Sequence, residues 1–462
     1  MNAMIRCKKL WLIGIVSAAV YAVNFSLGGF LHELGFIDAT PDPILFYLAQ
    51  VLPLSGLYFL AIRISGQGTK NSRQEIFTIL LFACLFRVAL IPLKPALSSD
   101  VYRYLWEGKV QVEAGVNPYV HPPQDRRLAF LRDREVYPKI NRKESPAIYP
   151  AGAQLLFAAA YRAGVYSPQG FKALALAADA LTLVLLLLIL KHLGLPLNRI
   201  LIYAWNPLLI YELFQSGHLE VFVIPLVLGF IYLVLRDRPI GAGIVLGLAT
   251  AVKLVPVFLL AAVPQKKRLS VGFPIVIVLA STYLFYASAG TRILGFLPTY
   301  FSDPYEIFNF GIIQLAMESL TTIFSLPPVW IRLILFGLLF AILAVTAHFF
   351  TASRERVIEG SYVVLSAYLL LIYPAFHPWY LCALLPLLCI LPSPAWLLFS
   401  SLLPLSYVKY LTADGTMPMW ATYVQFIPLY ALLALEIFTL RTSNERRHQW
   451  QPLLHQPFSK SL

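Results

Sequence analysis

Chemistry-bearing residues concentrate in one stretch, Ser98-Ser99-Asp100-Val101-Tyr102-Arg103-Tyr104-Leu105-Trp106-Glu107-Gly108-Lys109. On a helix that starts at Asp100, Arg103 and Tyr104 share its face, three and four residues on, and Glu107 follows on the same side. That face sets a carboxylate beside a cation. Tyr102, Tyr104 and Trp106 are amphipathic neighbours of the kind that collect at a membrane–water boundary. Moving a group off a lipid phosphate needs such a set. A carboxylate takes the proton of the attacking hydroxyl, worth about 10²–10⁴ in rate, while cations stabilise the departing phosphate as charge builds on it. Asp100 is the candidate base. Arg103 or Lys109 is the candidate phosphate partner, an Arg offering a bidentate fork where a Lys offers a point charge. The same spacing also describes an interfacial helix with a capping aspartate, an ion pair and an aromatic belt, and periodicity alone does not separate the two.

A second set is scattered. His377 precedes Pro378-Trp379-Tyr380, and an imidazole that titrates near neutrality can bind sugar or phosphate, or share a proton. A histidine at a helix end is also an ordinary boundary residue. His218 and Glu220 are ionisable groups among apolar runs and are therefore candidates for a catalytic cavity. Lys253 sits inside an apolar run and needs a partner, a cavity or a snorkelling route to the interface. Asn309, between Phe308 and Phe310, is either a substrate contact or a packing residue. Asp179 and Glu318 are assigned to helix packing. The four cysteines, Cys7, Cys84, Cys382 and Cys389, have no metal-like or redox-like spacing and are read as core.

Composition says what must hold these residues. Of 462 residues, 59% are apolar and only 13% charged, too few charges to cover a soluble fold of this length. Apolar stretches long enough to cross a bilayer recur along the chain. The net charge of +13 is attributed to basic cytoplasmic loops rather than to nucleic acid. Spans are expected at about 11–30, 44–63, 75–93, 172–190, 199–215, 219–235, 241–263, 271–289, 329–350, 360–376, 394–411 and 420–440, with 146–164, 307–325 and 378–392 ambiguous. The stretch from about Lys94 to Ala147 holds 17 of the 59 charged residues. A long polar loop in so apolar a chain is where function is expected. Arg6, Lys8 and Lys9 put the N-terminus inside, Arg441, Arg446 and Arg447 put the C-terminal tail inside, and the long loop and His377 then share the outer face. The basic residues Lys191, Arg199, Arg236 and Arg238 fit this count only if 146–164 and part of 241–263, broken at Lys253 and Pro256, are short or re-entrant.

The block Asp-Val-Tyr-Arg-Tyr-Leu-Trp-Glu-Gly-Lys-Val-Gln from Asp100, followed by Ala114-Gly115-Val116-Asn117-Pro118-Tyr119, resembles the first extracytoplasmic loop of polyprenol-phosphate-sugar-dependent glycosyltransferases of the GT-C superfamily, nearest the bacterial mannosyltransferase-like branch. Further segments are similar in the same order. They are Ile148-Tyr149-Pro150, Tyr203-Ala204-Trp205-Asn206-Pro207, Ser216-Gly217-His218-Leu219-Glu220, Val252-Lys253-Leu254-Val255-Pro256, Phe308-Asn309-Phe310 and His377-Pro378-Trp379-Tyr380. Glu107, Ala151 and Leu219-Glu220 depart from the family's usual residues, which bears on the sugar and acceptor more than on the reaction type.

The resemblance implies an all-α polytopic transmembrane helical bundle of about 12–14 spans. Residues 1–74 would be N-terminal helices outside the shared core, and 75–400 the catalytic module with its loop at about 94–147. Residues 401–440 would be C-terminal helices and 441–462 a cytoplasmic tail. It implies Asp100 as general base, joined by His377 at the catalytic centre. Arg103, Tyr104, Trp106, Lys109, Asn117, Tyr149, His218, Glu220, Lys253 and Asn309 would be substrate-binding. The implied reaction moves a hexose, usually mannose, from a polyprenyl-phosphate carrier to a glycolipid, glycan or protein acceptor, with inversion, on the extracytoplasmic face of a bacterial inner membrane. Membrane lipid is the other partner, and no nucleic acid is expected. A divalent cation has a place near the phosphate, yet no His/Asp/Glu set has ligand spacing. The rival class is a transporter or lipid flippase, which predicts charges near the midplane of broken helices. This chain instead gathers its charge in one loop.

Overall fold

An apolar run in hydrocarbon satisfies its own backbone most simply as a helix. The computed structural model describes residues 3–23, 42–66, 72–300, 309, 311, 319, 322–325, 328–350, 353–371 and 375–442, and among them every regular element is helical. Four helices, Pro43–Ser65, Pro168–His192, Gln265–Leu284 and Met419–Thr439, are long and apolar enough to cross a bilayer. Shorter apolar helices accompany them at Glu220–Leu235, Pro239–Val252, Leu333–Phe349 and Val357–Leu371. The chain is an all-α polytopic membrane protein. The expected span 307–325 apart from Asn309, Gly311, Ser319 and 322–325, together with Phe308, Phe310, Glu318 and the tail beyond 442, lies outside the described residues.

The first three helices are α1 (Ala3–Ala22), α2 (Pro43–Ser65) and α3 (Arg73–Leu90), with α1 packed on both others. Asp42 opens α2 by accepting from the backbone N–H of Ile44 and Leu45 at 2.8 and 3.2 Å, with Pro43 just inside. These helices are tied into the rest of the molecule by polar contacts. Tyr58 Oη donates to the carbonyl of Ile202 at 2.8 Å, and Tyr211 Oη donates to Gln50 Oε1 at 2.9 Å. The polar loop opens with α4 (Asp100–Ala114), which lies against α5 (Ala151–Arg162). Gly108 makes that approach feasible: a Cβ there would sit 2.5 Å from the Phe157 carbonyl oxygen. Next come α6 (Pro168–His192), α7 (Glu220–Leu235), α8 (Pro239–Val252) and α9 (Arg268–Leu284). The last four are α10 (Pro328–Phe349), α11 (Val357–Leu371), α12 (Pro394–Leu402) and α13 (Met419–Thr442).

Several apolar segments are broken, as expected for 146–164 and 241–263, each where the sequence carries a helix signal. The 146–164 segment yields only the 12-residue α5, about 18 Å at 1.5 Å per residue, against the roughly 30 Å of a hydrocarbon core. Within 199–215, Asn206 caps a new turn by accepting from Leu209 N at 3.2 Å, with Pro207 at its first position. The chain then widens into a π-turn over Tyr211–Gln215. In 241–263, α8 stops at Val252, Lys253 is extended, and a 3₁₀ segment runs Val255–Ala262 behind Pro256. The 394–411 segment passes from α12 into a 3₁₀ helix at Leu403–Leu411, which begins beside Pro404.

Candidate active site

The loop helix α4 begins ten residues after the end of α3. Its N-terminus favours an anion, and Asp100 occupies it. A cavity of ≈ 680 Å³ opens there, a size suited to a small organic substrate. Asp100, Arg103, Asn141, Arg142, Glu220, Lys253 and His377 are among its polar lining. Leu254, Val255 and Phe258 of the 3₁₀ segment, Leu335, Phe336 and Leu339 of α10, and Tyr368 and Leu371 of α11 form an apolar wall.

Asp100 is held but not saturated. Its Oδ1 accepts from Asn141 Nδ2 at 2.8 Å, and its Oδ2 lies 3.6 Å from Nδ1 of His218. One-fifth of the Asp100 side chain stays exposed to the cavity. Burial pushes its carboxyl above the usual carboxylate range and the nearby Glu220 adds to that; the Asn141 donor, Lys253 and Tyr149 pull the other way. A carboxylate with raised proton affinity is better matched to a hydroxyl than an ordinary one.

Arg103 borders the cavity, and its donors shape the loop. Its Nε bonds Glu107 Oε1 at 2.5 Å, Nη1 reaches the carbonyl of Arg142 at 2.9 Å and Nη2 that of Ser145 at 2.8 Å. Those bonds fold the 141–145 segment so that Asn141 meets Asp100 and Arg142 meets the cavity. Glu107 is completed by Gln154, whose Nε2 donates to Oε2 at 2.5 Å. Tyr149 Oη donates to Tyr104 Oη at 3.3 Å, and both rings line the cavity. Lys253 forms an ion pair with Glu220 and lies 4.4 Å from the centroid of Tyr380. The break after α8 therefore delivers a cation to the cavity. His377 stacks on Trp379 at 4.3 Å, with 7° between the planes.

Five residues expected at the substrate are placed elsewhere, and none of them lines the cavity. Lys109 pairs with Asp133 at 3.1 Å; nine residues from Asp100 is two and a half turns, so the two point to opposite sides of α4. Trp106 is fully buried against Tyr137. Asn117 donates to the carbonyl of Tyr286 at 3.3 Å and to Ser288 Oγ at 3.0 Å, which fastens the loop after α9. Asn309 donates to Gln425 Oε1 at 3.1 Å. His218 is buried behind Asp100. Asp179, read as a lone packing acid, is paired with Arg87 at 2.6 Å.

Sequence reasoning missed Asn141, Arg142, Glu212 and Tyr407. Asn141 and Arg142 had no signal beyond lying in the polar loop. Glu212 had one, since it is an acid inside an apolar run, the criterion that singled out Glu220. Among the described residues no group of three or more His, Cys, Asp or Glu is gathered for a metal ion.

A family model described as alpha-(1->6)-mannopyranosyltransferase, N-terminal domain, matches residues 12–265. The matched segment takes in α2 and most of α1 as well as Asp100, His218 and Lys253, and ends before His377. No curated protein and no solved structure matches the chain.

Proposed function

The chain belongs to the alpha-(1->6)-mannopyranosyltransferase family, and from that premise we propose that it moves mannose from a polyprenyl-phosphate carrier to an acceptor hydroxyl on the extracytoplasmic face, with inversion at the anomeric carbon. The coarser statement, a mannosyltransferase built as a membrane protein, follows from the family and the apolar helices. Asp100 Oδ2 takes the proton of the acceptor hydroxyl as its oxygen attacks the anomeric carbon from the side opposite the phosphate. The C–O bond to the phosphate breaks and its electron pair leaves with the lipid phosphate. Arg142 and Lys253 meet the developing charge, and His377 borders the same space. The apolar wall of the 3₁₀ segment, α10 and α11 takes the proximal isoprenes of the carrier. Reaction of two bound partners in one cavity replaces a bimolecular encounter with a fixed geometry. The linkage in the family's description calls for a 6-hydroxyl on the acceptor.

One observation carries this reading: a single cavity joins an unsaturated carboxylate, the cations Arg103, Arg142 and Lys253, and an apolar wall. The test is transfer of labelled mannose from polyprenyl-phosphate-mannose to octyl α-mannoside by purified protein in detergent. Asp100→Asn should lower turnover by about 10²-fold or more. Turnover equal to the wild type would remove Asp100 from the mechanism, and no consumption of the donor by wild-type protein would favour a transporter.

A further inference from the structure

Behind Asp100 lies a set of buried groups that binding of substrate does not explain. His218 is held at the turn after the π-segment, where Gly217 adopts a left-handed φ of 81° that aims the next residue back toward α4. Its ring faces two carboxylates. Nδ1 is 3.6 Å from Asp100 Oδ2, and Nε2 is 3.4 Å from Glu212 Oε2. Both distances exceed a hydrogen bond and fall within ion-pair range. Glu212 is itself fully buried and accepts from Tyr407 Oη at 2.9 and 3.1 Å. The indole of Trp379 stacks on the imidazole with centroids 3.8 Å apart and 18° between planes, and His377 stacks against the same indole. A ring so clamped cannot swing out to the cavity.

We propose that His218 is a positioning residue that shares the proton captured by Asp100, with Glu212 as the counter-charge on its far side. It rests on Asp100 being the base. The neutral ring carries its proton on Nε2 toward Glu212 and presents the Nδ1 lone pair to Asp100. The acceptor O–H bond breaks, and its oxygen keeps the electrons that form the new bond to the anomeric carbon. The proton passes to Asp100 Oδ2 and on to Nδ1. The imidazolium then donates to a carboxylate at each nitrogen and lies on the face of Trp379, an arrangement that favours a cation. When products leave, the proton returns through Asp100 to water. Burial is the main opposition to a proton on the ring, and Lys253 and His377 add to it, so the relay rests on the two carboxylates at ion-pair distance, with which Glu220 on the cavity side also interacts.

The experiment is kcat and KM against pH, with labelled polyprenyl-phosphate-mannose and octyl α-mannoside, for wild type, Asp100→Asn, His218→Gln and Glu212→Gln. His218→Gln should lower kcat by about 10- to 100-fold with donor KM changed less than about twofold, because the ring does not line the cavity. Removing one of two sites that share a proton lowers the pH at which the first proton binds. The acid limb should therefore move to lower pH in His218→Gln. It should move the same way in Glu212→Gln, which removes the proton-accepting group facing Nε2. A histidine that only packs would reduce kcat uniformly and leave the limb in place, and that result overturns the inference. Loss of activity in Asp100→Asn together with a wild-type profile in His218→Gln overturns the relay and spares the base, whereas an active Asp100→Asn overturns both. Should the variants fail to fold, a proton inventory of single-turnover wild-type reaction in H₂O–D₂O mixtures decides. Curvature supports two protons in motion, and a straight line rejects the relay.

Discussion

Two aspartates in this molecule occupy opposite situations. Asp179, on α6, is sealed off and fully bonded: Arg87 Nε reaches Oδ2 at 2.6 Å, Tyr203 Oη reaches Oδ1 at 2.6 Å, and the Arg87 guanidinium also bonds the Ala204 carbonyl at 2.8 Å. Asp100, on α4, has one short donor, Asn141, and keeps part of its surface toward a cavity. The first spends its charge on joining α3, α6 and the 201–204 turn. The second leaves an oxygen uncommitted, at a cost to the fold that only function explains. Residue type alone does not separate these two acids, although the charged residues that follow Asp100 do set it apart from Asp179 in its apolar run. The number of donors each one meets separates them.

Breaking the comparison at its structural side should give the largest effect. Asp179→Ala leaves Arg87 buried without its counter-charge, a change expected to cost about 3–5 kcal/mol. It should appear as a large fall in thermal midpoint in detergent. Asp100→Asn should do the reverse and melt at or above the wild type at neutral pH. The sign follows from its raised proton affinity: ionising Asp100 costs more in the fold than in the unfolded chain, so the wild type carries a penalty above the unfolded pKa of about 3.9. The gap between the two proteins should close as pH falls from the raised value in the fold towards that unfolded value. A lower midpoint for Asp100→Asn at pH 7 would contradict the picture of an unsaturated carboxylate.

The cations sharpen the contrast next. Lys253→Met and Arg142→Ala should each lower kcat by about 10- to 100-fold, in line with the loss of one charge-stabilising group in a catalytic cavity. Labelled mannose transfer under saturating donor checks this. For wild type, transfer should fail on acidification at a pH above the ordinary carboxylate range, because the base must be ionised and its affinity for a proton is raised. The smallest effect belongs to Lys109→Ala. Its partner Asp133 is one-third exposed, so the pair is worth about 0–1 kcal/mol, and transfer should change less than about twofold. A large loss there would mean that the far face of α4 also meets substrate.

Much of this was legible in the chain alone, for identifiable reasons. Runs of apolar residues demand helices in hydrocarbon, and α4 follows from a 3.6-residue period that puts Asp100, Arg103 and Tyr104 on one side. The break at Lys253 and Pro256 was equally readable, because a proline withholds a donor and a lysine avoids hydrocarbon. The interruption at Asn206-Pro207 was written in the same signals, a cap followed by proline, but hydropathy over 199–215 masked it. The use of Arg103 was not legible. Its type promised a phosphate fork, while its donors go to Glu107 and to carbonyls about 40 residues downstream, a fold of irregular chain that no period encodes. For the same reason Asn141 and Arg142 could not be anticipated. Lys109 was misplaced by proximity in sequence, where counting turns would have sent it to the opposite face.

The column of rings formed by His218, Trp379 and His377 has a further consequence. It joins residues before and after the end of the family match at residue 265, so the two lengths of chain meet face to face beside the cavity where bond-making is proposed. Expressed as two separate polypeptides cut between them, neither half would hold a finished centre, and regained transfer on mixing would report their re-docking.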